Sequence, residues 1–554
     1  MAAEMTANQE LILAMYAGFR EGGERRFNGV RNSNCTTSGF RRAFVRLRAE
    51  CYNPSLTMTH RVPESAALAP DVLSRYEAVI GLEVHAQLET RTKAFCGCST
   101  RFGDAPNQNT CPVCLGLPGA LPVLNHRALD LALRASLALH LEVQERSRFA
   151  RKNYFYPDLP KGYQISMFEL PLATAGWLEI EVEGARRRIA ITRLHMEDDA
   201  AKNLHDGFAD SDRYSYIDYN RGGVPLIEIV SEPDLHTSAE AYAYLTTLKQ
   251  ILEYTQVSDC NMEEGSLRCD ANVSVRLRGE SQLGTKVEVK NLNSFRYLSH
   301  ALDFEIDRQI KLIESGGKVV QETRLWNVAA GRTAAMRSKE FAHDYRYFPE
   351  PDLLPVRVTA AVIDEVRAGM PELPDIRRER FIAEYDLPSY DSGVLTATRP
   401  LADYFEKVVA IGVLPKSAAN WISSEVLRRL KESGKEISES QVSPDLLASL
   451  LSKVDLGTIT AASGKQVLGK MFETGKSADE IIAADGLSQI SDASSIEPIV
   501  GDIIAKNAAN VGKYRSGNEG VFKFFVGQVM RETRGQANPQ LVNEVVKRML
   551  DAAS

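Results

Sequence analysis

The sequence predicts an α+β protein: a cradle domain on a mixed or antiparallel sheet, an all-helical linker, and a helical tail domain. Three observations carry this. Between Tyr76 and Lys290, short segments repeatedly alternate apolar and polar residues at period two, the pattern of strands with one covered and one polar face. Beyond about Pro371 the composition turns helical, with Pro371-Glu-Leu-Pro-Asp375 marking the break. Near the end, Asn538-Pro539 supplies a cap and a first-turn proline, and Leu541, Val542, Val545, Val546, Met549 and Leu550 then form one apolar helical face. These signals divide the chain into an extension (1–75), the cradle (76–370) and a helical portion (371–554).

At 554 residues the chain is long enough for about three to four domains. Apolar content of 44% and charged content of 25% are those of ordinary globular protein, and no run of eighteen apolar residues offers a membrane span. Net charge is −7, so nucleic-acid contact would need a local basic patch. Eight cysteines in so long a chain, four of them clustered, fit a reducing compartment better than a disulfide scaffold.

The extension holds ten arginines and no lysine, with Ser, Thr and Asn scattered through it. Such N-termini resemble organelle transit peptides, although Glu4, Glu10, Glu21 and Glu24 run against that pattern. A plain tail or a misassigned start codon would also fit.

The first cradle strand begins at Tyr76. Ala78, Ile80, Leu82, Val84, Ala86 and Leu88 fall on one face, and Glu77, Glu83, His85, Gln87 and Glu89 on the other. Two cysteine pairs follow, Cys96-Gly-Cys98 and Cys111-Pro-Val-Cys114, separated by twelve residues. Two chelating pairs closing one loop can bring four thiolates together around zinc. Four buried free thiols or two disulfides would use the same residues; the pairing favours zinc. A closed four-thiolate site has no open position, so such a metal would staple the 96–114 loop and not catalyse.

Asn125 caps a helix to about His140 with Leu129, Leu133 and Leu137 at helical spacing. Arg151 to Asp158 and Lys161 to Ser166 interleave basic and aromatic residues, a pattern that stacks bases or packs a loop; packing is the better reading of the residues alone. Further strands then deliver acids. Arg193-Leu-His-Met-Glu-Asp-Asp199 ends on three of them. Glu228 lies in Pro225-Leu-Ile-Glu-Ile-Val230, otherwise apolar on both faces, and such a carboxylate needs a cation or hydrogen bonds. Asp270 shares a polar face with Arg268 and Asn272, and Glu288 with Lys286 and Lys290. Acids, an imidazole and lysines from several strands suit a magnesium–nucleotide site, although each face taken alone could equally be a solvated one. Gly475-Lys476-Ser477 is not a phosphate loop, because Lys470 stands where the motif's first glycine belongs. In the tail, Lys506, Lys513, Arg515, Lys523, Arg531 and Arg534 make a local basic excess suited to RNA phosphates.

Six segments together resemble the B subunit of the glutamyl-tRNA(Gln) and aspartyl-tRNA(Asn) amidotransferases. They are Ile80 to Gln87, Arg151 to Ser166, Arg193 to Asp199, Met262 to Asp270, Asp344 to Asp352 and Gly535 to Val542. The likeness runs in order from about Tyr76 to the C-terminus, and residues from about Gln441 resemble the free-standing YqeY-like helical domain. The cysteine-bearing loop, Asp158-Leu-Pro-Lys161 and Gly176-Trp177-Leu178 look most like cyanobacterial members, which implies a plastid origin, with mitochondrial delivery as a further option.

The resemblance implies an ATP-dependent carbon–nitrogen ligase that takes its nitrogen from glutamine. In that family a glutaminase partner releases ammonia from glutamine, and a small third protein wraps both larger ones. The B subunit phosphorylates the misloaded glutamate on tRNA(Gln) and amidates it. The resemblance implies ATP and magnesium as cofactors, beside the structural zinc that the spacing of Cys96, Cys98, Cys111 and Cys114 suggests, and misacylated Glu-tRNA(Gln), with Asp-tRNA(Asn) as an alternative, as substrate. It assigns catalysis to Glu83, His85, Glu197, Asp198, Asp270, Lys286 and Glu288. Of these, Glu83, His85, Asp198, Asp270 and Glu288 would hold magnesium. Lys152 and Lys161 would line the ammonia path, and Lys523, Arg531, Arg534 and Asn538 would meet tRNA. One departure stands out: Asp198 occupies a position where the family usually has glutamate, one methylene longer. No amidase Ser-Ser-Lys signature is present, which disfavours a self-contained amidohydrolase. A zinc-bearing, non-enzymatic RNA-binding protein is the other class to weigh, and the aligned acids argue against it.

Overall fold

The structure, a computed structural model, describes residues 47–48 and 68–552 except 206, 209, 337–344, 488–492, 519 and 534–536. Most of the expected targeting extension, and the expected tRNA contact Arg534, lie outside the described residues.

The cradle strands are β1 (Tyr76–Gln87), β2 (Arg146–Asn153), β3 (Tyr163–Leu170), β4 (Ala173–Val182), β5 (Ala185–Asp198), β6 (Pro225–Ser231), β7 (Leu267–Leu277), β8 (Val287–Lys290), β9 (Thr323–Asn327) and β10 (Arg332–Ala335). Across the sheet they run β10-β9-β8-β7-β1-β6-β5-β3-β2, with Phe348–Pro349 at the far edge and β4 paired to β5 from Ala185 to Leu194. Only the β8–β9 pairing among these is parallel, so the sheet is mixed, as the sequence predicts. β1 lies near the middle because its apolar set needs cover: Ile80, Leu82, Val84 and Ala86 are each fully buried. They join one core with residues of α1 (His126–Ala138), α2 (Ser238–Tyr254) and α3 (Phe295–Glu314). Burying each large aliphatic side chain contributes about 1.5–3 kcal/mol. Each helix starts on a side-chain cap: Asn125, Thr237 and Ser294 accept from Arg127, Glu240 and Tyr297 backbone N–H groups. With helices on one face, the opposite face of the sheet is left to the polar residues.

The β9–β10 hairpin is pinned to α3 by a buried carboxylate. Glu305 accepts from Arg308, Gln309 and Thr333, with Arg324 3.5 Å away. So many donors offset its desolvation.

The helical portion forms two further cores. One gathers residues from Phe381 to Ile482, the other from Ile496 to Leu550. The boundary expected at 440/441 is therefore not a packing boundary: Ile437 and Val442 share the first core, and Tyr404 Oη donates to the Val442 carbonyl at 2.9 Å. The first core docks on the cradle through α2, whose Gln250 Nε2 and Tyr254 Oη both donate to the Thr396 carbonyl. The Gly475-Lys476-Ser477 decoy is plain helix punctuation. Gly475, at φ +69°, ends one helix and Ser477 opens the next with a capping box to Glu480. The last helix, Pro539–Ala552, buries Val542, Val545, Val546 and Leu550 as its spacing predicts.

Candidate active site

Strand register builds the site. Glu228 of β6 lies directly between His85 of β1 and His195 of β5, and Arg268 of β7 lies on the far side of His85. One row across four strands therefore reads His195, Glu228, His85, Arg268. In the next rows Asp270 faces Glu83, and Asn272 faces Glu288. Because side chains alternate along a strand, residues two apart join the same face, and Glu197 joins His195.

Two polar groups result. In the first, His85 Nε2 is 3.2 Å from Glu228 Oε2, and His195 Nε2 is 3.1 Å from Glu197 Oε1 and 3.6 Å from Glu228 Oε2. The ligand atoms of His85, Glu197 and Glu228 all lie within 4.8 Å of one another. Burial pushes the His85 imidazole toward its neutral form, but the hydrogen bond and charge of Glu228 outweigh it and hold its pKa above the ordinary value. Burial works to raise Glu228 and Glu197, yet both stay below the usual carboxylate range. The bond from His85 does this for Glu228 and the bond from His195 for Glu197, helped by the nearby imidazole charges. The two carboxylates stay ionised, and once His85 gives up its proton the set offers one imidazole and two carboxylates to a divalent cation.

In the second group, Lys290 Nζ bridges Asp270 (2.5 Å) and Glu288 (2.8 Å), while Asn272 donates to Glu83 at 2.8 Å. Burial disfavours the Lys290 ammonium, and the two carboxylates more than reverse that.

Asp198 does not join either group. Next to Glu197 in an extended strand, it points to the other side, where it is buried, pairs with Lys161 Nζ and accepts from the Ile165 N–H at 2.7 Å. The expected place of Asp198 among the magnesium ligands is therefore corrected: β5 brings Glu197 to His85, and Glu228 completes the trio. Burial lifts the Asp198 pKa, with Lys161 only partly opposing it. Among the described residues, Lys286, expected to meet phosphate, makes no contact with the acids. It is exposed, just ahead of β8, and Lys290 is the lysine that reaches the acids. Of the two residues expected on an ammonia path, Lys161 lines a cavity of about 100 Å³ with Asp198, Lys93, Cys96 and Cys114. Lys152 sits over the Tyr345 ring at 5.2 Å, and its charge reaches Glu197.

The four cysteines meet. Their sulfur atoms lie within 4.8 Å of one another, all four are free, and Cys111 and Cys114 sulfurs stand 3.8 Å apart, too far for a disulfide. Hydrogen bonding from Cys96, with help from the Lys93 charge, holds Cys114 down at about 5 against its burial. Burial pushes Cys98 up to about 11. A closed all-sulfur set of this compactness fits zinc.

In the tail, Lys523 and Arg531 are exposed, but Asn538 is occupied as a cap, accepting from the Gln540 N–H at 2.9 Å.

The residues that sequence reasoning left out of the site are Glu228, His195, Arg193 and Lys290. Glu228 had been marked by its cost of burial, but which strands flank it is a matter of long-range pairing.

Comparison with known proteins bears on this geometry. The chain matches the GatB/GatE catalytic domain over residues 78–364 and the GatB domain over residues 403–550. It is 54% identical over 475 residues to the aspartyl/glutamyl-tRNA(Asn/Gln) amidotransferase B subunit of Carboxydothermus hydrogenoformans, covering 86% of this chain and 99% of that protein. The proteins of that name from Thermodesulfovibrio yellowstonii and Caldanaerobacter subterraneus are 54% and 55% identical with the same coverage of both chains. The chain belongs to the family of aspartyl/glutamyl-tRNA(Asn/Gln) amidotransferase B subunits.

Proposed function

We propose that this chain is the acceptor half of a glutamine-dependent amidotransferase. It would convert misacylated Glu-tRNA(Gln) to Gln-tRNA(Gln) within a complex that also holds a glutaminase and a small third protein. The observation that carries the reading is the His85–Glu197–Glu228 set on the polar sheet face, with Arg193 and Arg268 beside it and Lys290 in the neighbouring acidic group. A carboxylate resists amidation because its charge repels nucleophiles and oxide is a poor leaving group. ATP solves this. A side-chain carboxylate oxygen attacks the γ-phosphorus, the bond to the β,γ-bridging oxygen breaks, and ADP leaves with the electron pair. Ammonia nitrogen then attacks the acyl carbon, the carbon–oxygen bond to phosphate breaks, and a proton leaves the nitrogen.

Magnesium, held by His85, Glu197 and Glu228, would supply charge neutralisation for the phosphates. The chain's own residues do the rest. Glu228 keeps His85 oriented, His195 holds Glu197 ionised, and Lys290 keeps Asp270 and Glu288 from repelling each other. On the other side of the sheet, Asp198 and Lys161 offer a buried acid–base pair beside the cysteine loop, suited to taking a proton from ammonium as it arrives. Leu121 and Val123, chain neighbours of cavity residues, are exposed apolar side chains suited to a partner protein, as is Phe155, 90% exposed. Zinc would staple the 96–114 loop. The basic tail would grip tRNA away from its acceptor end. We place the complex in a plastid, a mitochondrion or both, on the arginine-rich extension.

The test is to co-express the three proteins of the complex and assay amide formation on Glu-tRNA(Gln) and Asp-tRNA(Asn). ATP-dependent conversion of the first supports the reading. If tRNA binds but no amide forms, the zinc-bearing RNA-binding alternative replaces it. Removing residues 493–554 should raise KM for tRNA about tenfold and flatten its salt dependence, with kcat unchanged. A fall in kcat alone would assign the tail to catalysis or assembly. A fluorescent fusion to residues 1–75 checks delivery, and diffuse cytosolic signal would remove the organelle assignment.

A further inference from the structure

One cation in the cradle is held by a single carboxylate yet kept in place from behind. Arg268 stands directly opposite His85 across the β1–β7 pairing, about 5 Å away in backbone terms. Its one Nη2 donates to Asp199 Oδ2 at 2.8 Å, and its Nε has no hydrogen-bond partner. Asp199 is itself fixed, accepting from Gln87 Nε2 at 2.7 Å, with Arg221 Nε 3.7 Å away. The Arg268 side chain is 35% exposed, with its Nε buried, where Asp199 is 3% and Glu228 12%, so the side chain reaches the polar face while its anchor is buried. Arg268 shares the His85 row and lies two residues from Asp270 on the same face, between the two acidic groups, and the charges of Asp270 and Glu197 act on it. The other guanidinium of this face, Arg193, lies over the Phe168 ring and 3.6 Å from Glu228.

We propose that Arg268 is a catalytic arginine that binds the γ-phosphoryl oxygens as they transfer to the substrate carboxylate, and that Asp199 is its positioning residue. This rests on the phosphorylating reading given above. The planar fork suits the chemistry: two parallel N–H groups match two phosphoryl oxygens, and a point charge such as lysine cannot. Charge spreads over the equatorial oxygens during transfer, so a preorganised guanidinium helps there more than with bound ATP. Its position one strand from His85 puts it beside any phosphate held at the His85–Glu197–Glu228 set. The bonds made and broken are those of the carboxylate-to-ADP step above, and Arg268 gives up no proton.

The test uses the whole complex with two readouts. The first is amide formation as ATP is varied. The second is the affinity for ADP with magnesium and aluminium fluoride, which mimic the transferring phosphoryl group, against ADP with magnesium alone. Arg268→Met is expected to lower kcat at least about a hundredfold with KM for ATP within about threefold. It is also expected to weaken the aluminium fluoride complex at least about tenfold while leaving ADP affinity unchanged. Asp199→Asn should move both readouts the same way by a smaller factor. If Arg268→Met fails to assemble, Arg268→Lys decides: it keeps bulk and charge without the fork, and is expected to show the same two losses. Wild-type-like kcat and aluminium fluoride affinity in the assembled variant overturn the role of Arg268 and leave the cradle reading intact. Wild-type complex that binds no nucleotide and forms no amide overturns the cradle reading itself. Equal weakening of ADP and the mimic overturns the transition-state role in favour of ground-state binding.

Discussion

Two clusters in this protein are equally compact and opposite in kind. Cys96, Cys98, Cys111 and Cys114 bring four sulfur atoms within 4.8 Å; His85, Glu197 and Glu228 bring one nitrogen and two carboxylates within the same distance. The sulfur set comes from one loop, closes on itself and leaves no position for a substrate. The nitrogen–oxygen set comes from three strands far apart in sequence and lies on the polar face of the sheet. The difference teaches where stability and chemistry are kept. Soft ligands from a local loop can be fixed early and stay fixed. Hard ligands from a sheet keep coordination positions for phosphate and water. Between the clusters runs the end of β5, with Glu197 on the His85 side and Asp198 on the cysteine side, where Asp198 pairs with Lys161.

The sharpest way to break that contrast is to remove one ligand from each set. Glu228→Gln should lower amide formation about a thousandfold or more, since losing a metal ligand costs several kcal/mol of transition-state stabilisation, while the complex still assembles. Activity within about threefold of wild type, measured at saturating ATP and tRNA, would return Glu228 to a merely buried structural acid. Cys114→Ser should do the reverse. Elemental analysis should fall from about one zinc per chain to none, and Tm should drop by at least about 5 °C, with residual turnover in the fraction that stays folded. Unchanged Tm and zinc content would mean the loop is not stapled by metal.

Proton release gives a gentler contrast. Before any metal enters, burial and neighbouring sulfurs hold Cys98 up at about 11 and Cys96 well above an ordinary thiol, while Cys114 is held at about 5. Thiolates bind zinc, so at pH 7 at least Cys96 and Cys98 must give up protons, and zinc affinity should rise steeply with pH. Glu197 and Glu228 are already ionised there, leaving only the His85 proton to be displaced by magnesium. Calorimetry in two buffers of different ionisation enthalpy should count about two or more protons released per zinc and about one or fewer per magnesium. Equal counts would remove the distinction between the sets.

How much of this could be read from the chain depends on the range of the interactions. The cysteine cluster was legible because its ligands sit in two close pairs. Glu83 and His85 were legible because alternation at period two separates them from Leu82, Val84 and Ala86, which the structure buries completely. Glu228 was marked by the cost of burying it, but its two imidazole partners follow from β6 lying between β1 and β5, which no local pattern encodes. Asp198 was misassigned although the same alternation would have separated it from Glu197; a run of three acids obscured the period. Lys286 and Lys290 share one polar face, and only the start of β8 at Val287 decides which lysine reaches Asp270. The helical boundary at 440 was drawn on resemblance to a free-standing tail domain, and side-chain packing across it, as between Tyr404 and Val442, is again long-range.

The central claim is that the cradle activates a carboxylate by phosphorylation before ammonia arrives. The most direct measurement follows oxygen. Glutamate carrying heavy oxygen in its side-chain carboxylate is loaded on tRNA(Gln), and the wild-type complex is given ATP and glutamine. The account predicts that one heavy oxygen appears in inorganic phosphate for each amide formed, because the attacking carboxylate oxygen leaves with the phosphoryl group. Unlabelled phosphate, with the heavy oxygen released to water or carried off on a nucleotide monophosphate, would contradict it.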